Sequence, residues 1–243
     1  YLPLSIKPDE LKKSVEALKK GNFGGFNVTI PYKRKIIGCL DEIEALASAI
    51  GAVNTVKIKG KKLIGYNTDA SGFLKSLKED VKFKPKAKKA LIIGAGGAAR
   101  AVVFSLAKEK ISEIFITDIF KKRAKSLAGD VKNNFPKIRI KVIEARRTAN
   151  IDYDLLVNAT PLGMKKSDPL PVSAGALRKG SRVYDLIYNP FKTRLVLAAQ
   201  KRGLKAAGGL NMLLYQGAEA FKIWTGRRAP VETMRRALLR AIK

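Results

Sequence analysis

The sequence predicts an α/β chain of two α/β units, the second built on a doubly wound parallel sheet, and three observations predict it. From residue 89 to about 208, short branched-apolar runs alternate with helical stretches, the order expected of strand–helix–strand units in a parallel sheet. The first of those strands runs straight into Gly94-Ala95-Gly96-Gly97-Ala98-Ala99-Arg100, a glycine turn opening a helix. Ahead of it, residues 1–80 form a separate pattern, divided off by the charged stretch Glu79–Lys88 with Pro85 inside it, which suits a linker.

In the first unit, Pro8 in a first helical turn, followed by Leu11, Val15 and Leu18, marks an amphipathic helix that Gly21, Gly24 and Gly25 end. Phe26, Val28 and Ile30 alternate as in a strand, which Pro31 stops because it has no N–H to donate. Asn27 and Thr29 take the opposite face, and Lys33 lies just past the strand end. Such a polar set, beyond a parallel edge, either faces a ligand or is the solvated side of an edge strand; spacing alone leaves both open. Asp41–Ile50 reads as a short helix, and residues 52–58 and 62–66 as a hairpin around Gly60. Asn67-Thr68-Asp69 caps a helix carrying Gly72, Phe73 and Leu77, and N-capping is the commonest task of an Asp there.

In the second unit, strands are expected at 90–93, 113–117, 138–143, 154–157, 182–186 and 204–207, with helices at 98–108, 120–128 and 193–202. Gly94 permits the tight turn, Gly96 lets the backbone approach a pyrophosphate, and Ala99 is small enough for close helix–strand packing. The helix start then offers unpaired N–H groups and a positive dipole end. Asp118 ends the second strand, a little over the ~20 residues after the glycines at which an acid meets a ribose 2′-hydroxyl. The loops Asn158–Met164 and Leu186–Pro190 follow the fourth and fifth strands and face the same crevice. Gly208-Gly209 lead into a helix with Leu210, Leu213, Leu214, Gly217, Phe221 and Trp224; a last helix, 231–242, carries Val231, Met234, Leu238 and Ile242. Both are expected to return to the first unit.

Composition narrows the chemistry. The 49 basic residues against 20 acidic ones give a net charge of +29 over 243 residues. The lysines are spread along the chain without an arginine-rich arm, zinc finger or aromatic RNA motif, so they read as a solvated basic surface and no specific nucleic-acid partner is expected. Weak adhesion to polyanions at low salt is. No uncharged apolar run approaches the ~18 residues of a membrane span, no secretory leader is recognised, and the single Cys39 excludes an internal disulfide; a cytoplasmic protein is expected. With no histidine, proton transfer falls to Lys, Asp, Glu, Tyr or Cys39, and no metal is expected.

Seven ordered stretches then carry a resemblance. They are Asn27–Lys33, Ile50–Thr55, Gly65–Asp69, Gly94–Ala99, Asn158–Met164, Tyr184–Pro190, and Gly209–Gly226 with Gln216. Over its whole length the chain resembles the shikimate dehydrogenase family, including its quinate/shikimate relatives. The resemblance implies a substrate-binding domain over residues 1–80, completed by helices from 212–243, and a Rossmann dinucleotide-binding domain over 86–211. It implies reversible hydride transfer between a nicotinamide and C3 of shikimate/3-dehydroshikimate, on the route to aromatic amino acids. Lys33 would be the catalytic lysine, donating or removing the proton, with Asp69 as its partner. Asn27, Thr29, Asn54, Tyr188 and Gln216 would contact the substrate. Gly94, Ala95, Gly96, Gly97, Ala98, Ala99, Asp118, Arg123, Asn158, Ala159, Thr160, Ile187 and Gly209 would contact the cofactor.

Two departures stand out. The family's opening strand and helix carry a Ser-x-Ser motif for the substrate carboxylate, whereas this chain starts at Tyr1-Leu2-Pro3-Leu4, which resembles the family's second strand. At the ribose, Asn-Arg-Thr is usual in NADP-using members; here stand Asp118-Ile119-Phe120. That acid leans the expectation from NADP toward NAD, although Lys121, Lys122 and Arg123 could neutralise a 2′-phosphate. Three alternatives stay open at this point: a quinate-preferring enzyme, a non-catalytic cofactor- or nucleic-acid-binding protein on the same fold, and a homodimer as the assembly.

Overall fold

Two sheets organise residues 1–241, the part of the chain that the computed structural model describes. The first holds β1 (Gly25–Asn27), β2 (Glu42–Ile43), β3 (Thr55–Lys59) and β4 (Lys62–Tyr66), in the order β1-β3-β4-β2. β3 and β4 are the expected hairpin. Helix α1 (Leu11–Lys20) buries Leu11, Val15 and Leu18, and its apolar side joins Val28, Ile36, Val56 and Leu63 in one core.

Four expectations for this unit need correction. The strand at Phe26 ends at Asn27 rather than at Pro31: Val28 still donates to the Asn54 carbonyl, but the Thr29 carbonyl then accepts the Tyr32 N–H in a turn and Ile30 points into solvent. Its edge is antiparallel: β1 pairs with β3 in that sense. The helix expected from Asp41 starts at Ala45 (α2, Ala45–Ile50), since Glu42 and Ile43 first pair with β4 and Glu44 then caps the helix with its carboxylate. Residues 1–6 form no strand, and α1 begins after a turn over residues 8–10.

The second sheet is all parallel. Its strands are β5 (Lys89–Ile93), β6 (Glu113–Thr117), β7 (Arg139–Val142), β8 (Leu155–Asn158), β9 (Arg182–Asp185) and β10 (Lys205–Ala207), in the order β10-β9-β8-β5-β6-β7. Helices α4 (Gly97–Lys108), α5 (Lys121–Asn134) and α6 (Arg194–Lys201) cover it. α5 outruns its expected end because Val131 continues the buried stripe of Ala124 and Leu127. The strand order reverses between β5 and β8, so the loops leaving these two strands open into a crevice at the sheet's carboxyl end.

Helices α3 (Asp69–Asp80) and α7 (Leu210–Thr225) pack against each other between the sheets. Phe73 of α3 meets Tyr184 of β9 edge-on, 5.3 Å between ring centres. At its other end α7 reaches β3, where Trp224 Nε1 donates to the Val56 carbonyl at 2.9 Å. α8 (Val231–Ala241) lies on α7 and buries no residue fully; Ile242 lies outside the described residues. None of the described helices is long and apolar enough to cross a membrane.

The α3–α7 crossing depends on Gly72. A Cβ there would stand 2.8 Å from the Gln216 nitrogen and 2.9 Å from the Met212 carbonyl oxygen, both backbone atoms. Gly72→Ala is therefore expected to lower the free energy of unfolding by about 1–3 kcal/mol, read from the urea midpoint; an unchanged midpoint would contradict this packing.

Candidate active site

The site begins where α3 starts. Thr68 stands at the cap position but makes no side-chain cap bond; Asn67 Oδ1 accepts the Ala70 N–H instead, at 3.3 Å. Asp69 is thus the first helical residue and not the cap, its carboxylate favoured by the positive end of the helix. One of its oxygens, Oδ2, takes Lys33 Nζ at 2.7 Å, with the two side chains 16% and 8% exposed. Lys33 is fixed from behind as well, because its carbonyl accepts the Val53 N–H at 2.7 Å. Its stem rests on the glycine turn of the other sheet: a Cβ on Gly97 would lie 3.3 Å from Lys33 Cβ. A mobile cation has been given one position, between the starts of α3 and α4.

Asn54, buried between these elements, organises the rest. Its Nδ2 faces three acceptors: Thr68 Oγ1 and Asp69 Oδ1 at 2.9 Å each, and Gln216 Oε1 at 3.3 Å. Its Oδ1 accepts the Thr68 N–H at 2.8 Å and the Thr55 hydroxyl at 3.1 Å. Asn27 Nδ2 donates to the Asn54 carbonyl and to Thr55 Oγ1, both at 3.0 Å. Lys33, Asp69, Asn54, Asn27 and Gln216 are therefore one cluster of donors and acceptors. Thr29 and Tyr188 are exposed, and neither side chain hydrogen-bonds to the cluster.

Across the cleft, the turn after β5 has the shape a pyrophosphate needs. Gly94 has φ +103°, and a side chain on it would collide with the backbone of Ala159. Around Gly96 a side chain would meet nothing within 4 Å, and no side chain caps the first turn of α4. Its N–H groups are left for an anion, so these residues fit a dinucleotide. Asp118 is tied into the same turn: Oδ2 accepts the Ala95 N–H and Oδ1 the Phe120 N–H, both at 2.7 Å. Beside it, the Arg123 guanidinium lies over the Phe120 ring, 4.3 Å from its centre.

The loops after β8 and β9 are joined by a carboxylate that the sequence reading gave no role. Asp185 Oδ1 accepts from Asn158 Nδ2 at 2.9 Å and from the Ile187 N–H at 3.2 Å, and Oδ2 accepts from the Thr193 hydroxyl at 2.6 Å. Burial pushes this carboxyl up to about 6, against the pull of those three hydrogen bonds. Asn158 is itself fully buried and holds its own loop through Thr160 and Leu162, which leaves Ala159 and Thr160 beside Gly94. Gly209 lets α7 start against the Leu186 backbone, and its N–H donates to the Ile187 carbonyl at 2.8 Å. Besides Asp185, sequence reasoning gave no site role to Thr55, Thr68 or Arg100. For Arg100 a signal existed, a lone charge amid the apolar residues of α4; for the threonines there was none.

Comparison with known proteins points to one family. Three family models match: shikimate dehydrogenase substrate binding domain over residues 1–56, shikimate/quinate 5-dehydrogenase over 76–161, and shikimate 5′-dehydrogenase C-terminal domain over 209–239. A relative from Halothermothrix orenii, shikimate dehydrogenase (NADP(+)), is 46% identical over 93% of this chain and 80% of its own. The crystal structure of shikimate 5-dehydrogenase from Thermus thermophilus in complex with NADP(H) and shikimate superposes with a TM-score of 0.85 at 34% identity, covering 97% of this chain and 85% of that one. Quinate dehydrogenase from Corynebacterium glutamicum in complex with NAD gives 0.88 at 32%, covering 95% and 82%. The curated relative carries NADP(+) in its name, so the leaning toward NAD drawn from Asp118 finds no support there.

The Asp185 carboxyl sets a pH signature. Folded, it keeps its proton to about pH 6, while the unfolded chain releases it near 3.8. In that window the native state binds the extra proton, so stability falls as pH rises from about 4 to 6 and then levels. Against Asp185→Asn, which has no such proton to lose, the wild type should give up about 2–3 kcal/mol over this range. Urea unfolding at each pH checks it, and a flat difference would contradict the assignment.

Proposed function

The chain belongs to the shikimate dehydrogenase family, and on that premise we propose that its cleft carries out the reversible NADP-dependent reduction of 3-dehydroshikimate to shikimate. The observation that carries the reading is the Lys33–Asp69 pair at 2.7 Å, seated against the glycine turn. The substrate side comprises residues 1–80 with the helices from 212 onward, and the cofactor side residues 86–211. When bound, the nicotinamide supplies the hydride in one direction and accepts it in the other.

The protein's own groups handle the proton. In reduction, the Lys33 ammonium donates to the ketone oxygen as negative charge develops on it; in oxidation, the Lys33 amine takes the hydroxyl proton. Asp69 touches Lys33 through Oδ2 and is itself oriented by Asn54 through Oδ1, so it aims the ammonium and balances its charge. Asn27, Asn54 and Gln216 present amide groups on the same side for substrate hydroxyls, with Thr29 and Tyr188 from the exposed rims. The first turn of α4 would hold the pyrophosphate.

For the cofactor we assign NADP, with Lys121, Lys122 and Arg123 taking the 2′-phosphate. Both Asp118 oxygens already serve backbone amides, which makes this acid a turn-forming group. A second reading, with quinate preferred, draws on the quinate dehydrogenase among the structural neighbours; comparing kcat/KM for the two acids decides between them. The non-catalytic reading gives way to the family membership.

Lys33→Met should lower kcat for shikimate by about 10²–10⁴ while NADPH affinity is kept; turnover at the wild-type rate would sink the assigned role. Arg123→Ala should reduce the NADP-over-NAD preference by about tenfold, in line with the loss of one charged hydrogen bond. An unaltered ratio of the two kcat/KM values would remove Arg123 from the phosphate site.

A further inference from the structure

α4 meets the other side of the cleft at two points about one turn apart. The first is Gly97, against the stem of Lys33. The second is Arg100, 4% exposed in a helix whose neighbouring positions from Ala99 to Ala107 are apolar or serine. Arg100 Nε donates to the carbonyl of Ile50, the last residue of α2, and Nη1 pairs with Asp130 of α5 at 2.8 Å. Its third nitrogen, Nη2, lies 2.9 Å from where a Cβ on Gly51 would be. Gly51, at φ +66°, is the left-handed residue that ends α2. A cation belongs there, because the last carbonyls of a helix are unpaired and sit at its negative end.

From Gly51 the backbone continues to Val53, whose N–H holds the Lys33 carbonyl at 2.7 Å, and to Asn54 at the centre of the polar cluster. The contacts close a ring: Arg100 to the Ile50–Gly51 turn, on to Val53, across to Lys33, and back to α4 at Gly97. A buried guanidinium with a single half-exposed carboxylate partner is a poor source of stability. Its donor to Ile50, however, is the one side-chain hydrogen bond among the described residues that ties α2 to α4.

We infer that Arg100 is a positioning residue for the reaction: it sets the Gly51–Asn54 segment, and through Val53 the Lys33 backbone, at a fixed distance from the glycine turn. It touches no reacting atom. The inference rests on the role of Lys33 proposed above.

The test compares the whole chain with Arg100→Met, which keeps the stem and removes the donors, and with Asp130→Asn, which loosens only the outer anchor. Three quantities are read: NADPH dissociation constant by fluorescence titration, steady-state kcat and KM for shikimate, and amide hydrogen exchange. In Arg100→Met, kcat should fall about tenfold or more while the NADPH constant stays within about twofold. Exchange at the Val53 amide should rise by about tenfold or more, with the β5 amides Leu91–Ile93 unchanged. Asp130→Asn should move the same quantities the same way by less, and it decides the matter if Arg100→Met does not fold. An unaltered kcat with unaltered Val53 exchange overturns the inference. So does a loss spread equally over cofactor affinity and β5 exchange, which would mean general stability alone. If the wild type turns over no shikimate, the function proposed above fails, and the exchange contrast by itself decides whether Arg100 holds Lys33.

Discussion

The buried carboxamide of Asn54 is the constraint on which the site depends. Its Nδ2 has two hydrogens and three acceptors within reach, on the β4–α3 turn, on α3 and on α7. Its Oδ1 takes the Thr68 N–H, and its backbone carbonyl holds β1 through Val28 and Asn27. At 2% exposure none of these groups can turn to water instead, and each bond left unmade would cost about 1–3 kcal/mol. Elements far apart in the chain are thereby set to one geometry. One consequence is chemical: Asp69 Oδ1 is taken by Asn54, so Oδ2 is the oxygen that faces Lys33. Another is that Nδ2 has one acceptor more than it has hydrogens, with Gln216 the most distant.

Backbone replaces side chain where the elements around the site touch. Gly72 lets α3 and α7 touch, and Gly209 lets α7 start against the loop after β9. The glycine turn divides its tasks. Gly94 supplies the conformation, Gly96 leaves open space, and Gly97 makes room for the stem of Lys33. The same few residues therefore fit a phosphate on one side and seat Lys33 on the other.

The parallel sheet was legible in the sequence almost strand by strand, because strands buried on both faces are written as continuous apolar runs. The first sheet was less so. β1 pairs over three residues and β2 over two, so the alternation of Phe26, Val28 and Ile30 promised a longer strand than forms. Lys33 was ambiguous by spacing and gained its role only through the resemblance of its surroundings. The members of the Asn54 cluster came only through the resemblance, and the bonds among them could not be read from spacing, since they reach as far as Gln216, 162 positions on. At Asp118 the spacing was equally blind. A rule about an acid at a strand end does not see that each of its oxygens also accepts a backbone amide, from Ala95 and from Phe120.

The most direct test of the account is a crystal structure of the protein with NADP⁺ and 3-dehydroshikimate, a pair that cannot react with each other. The account predicts Lys33 Nζ within hydrogen-bonding distance of the ketone oxygen, still paired with Asp69 and with its stem on Gly97. A ketone oxygen met by another donor, with Lys33 turned out of the cleft, would contradict it.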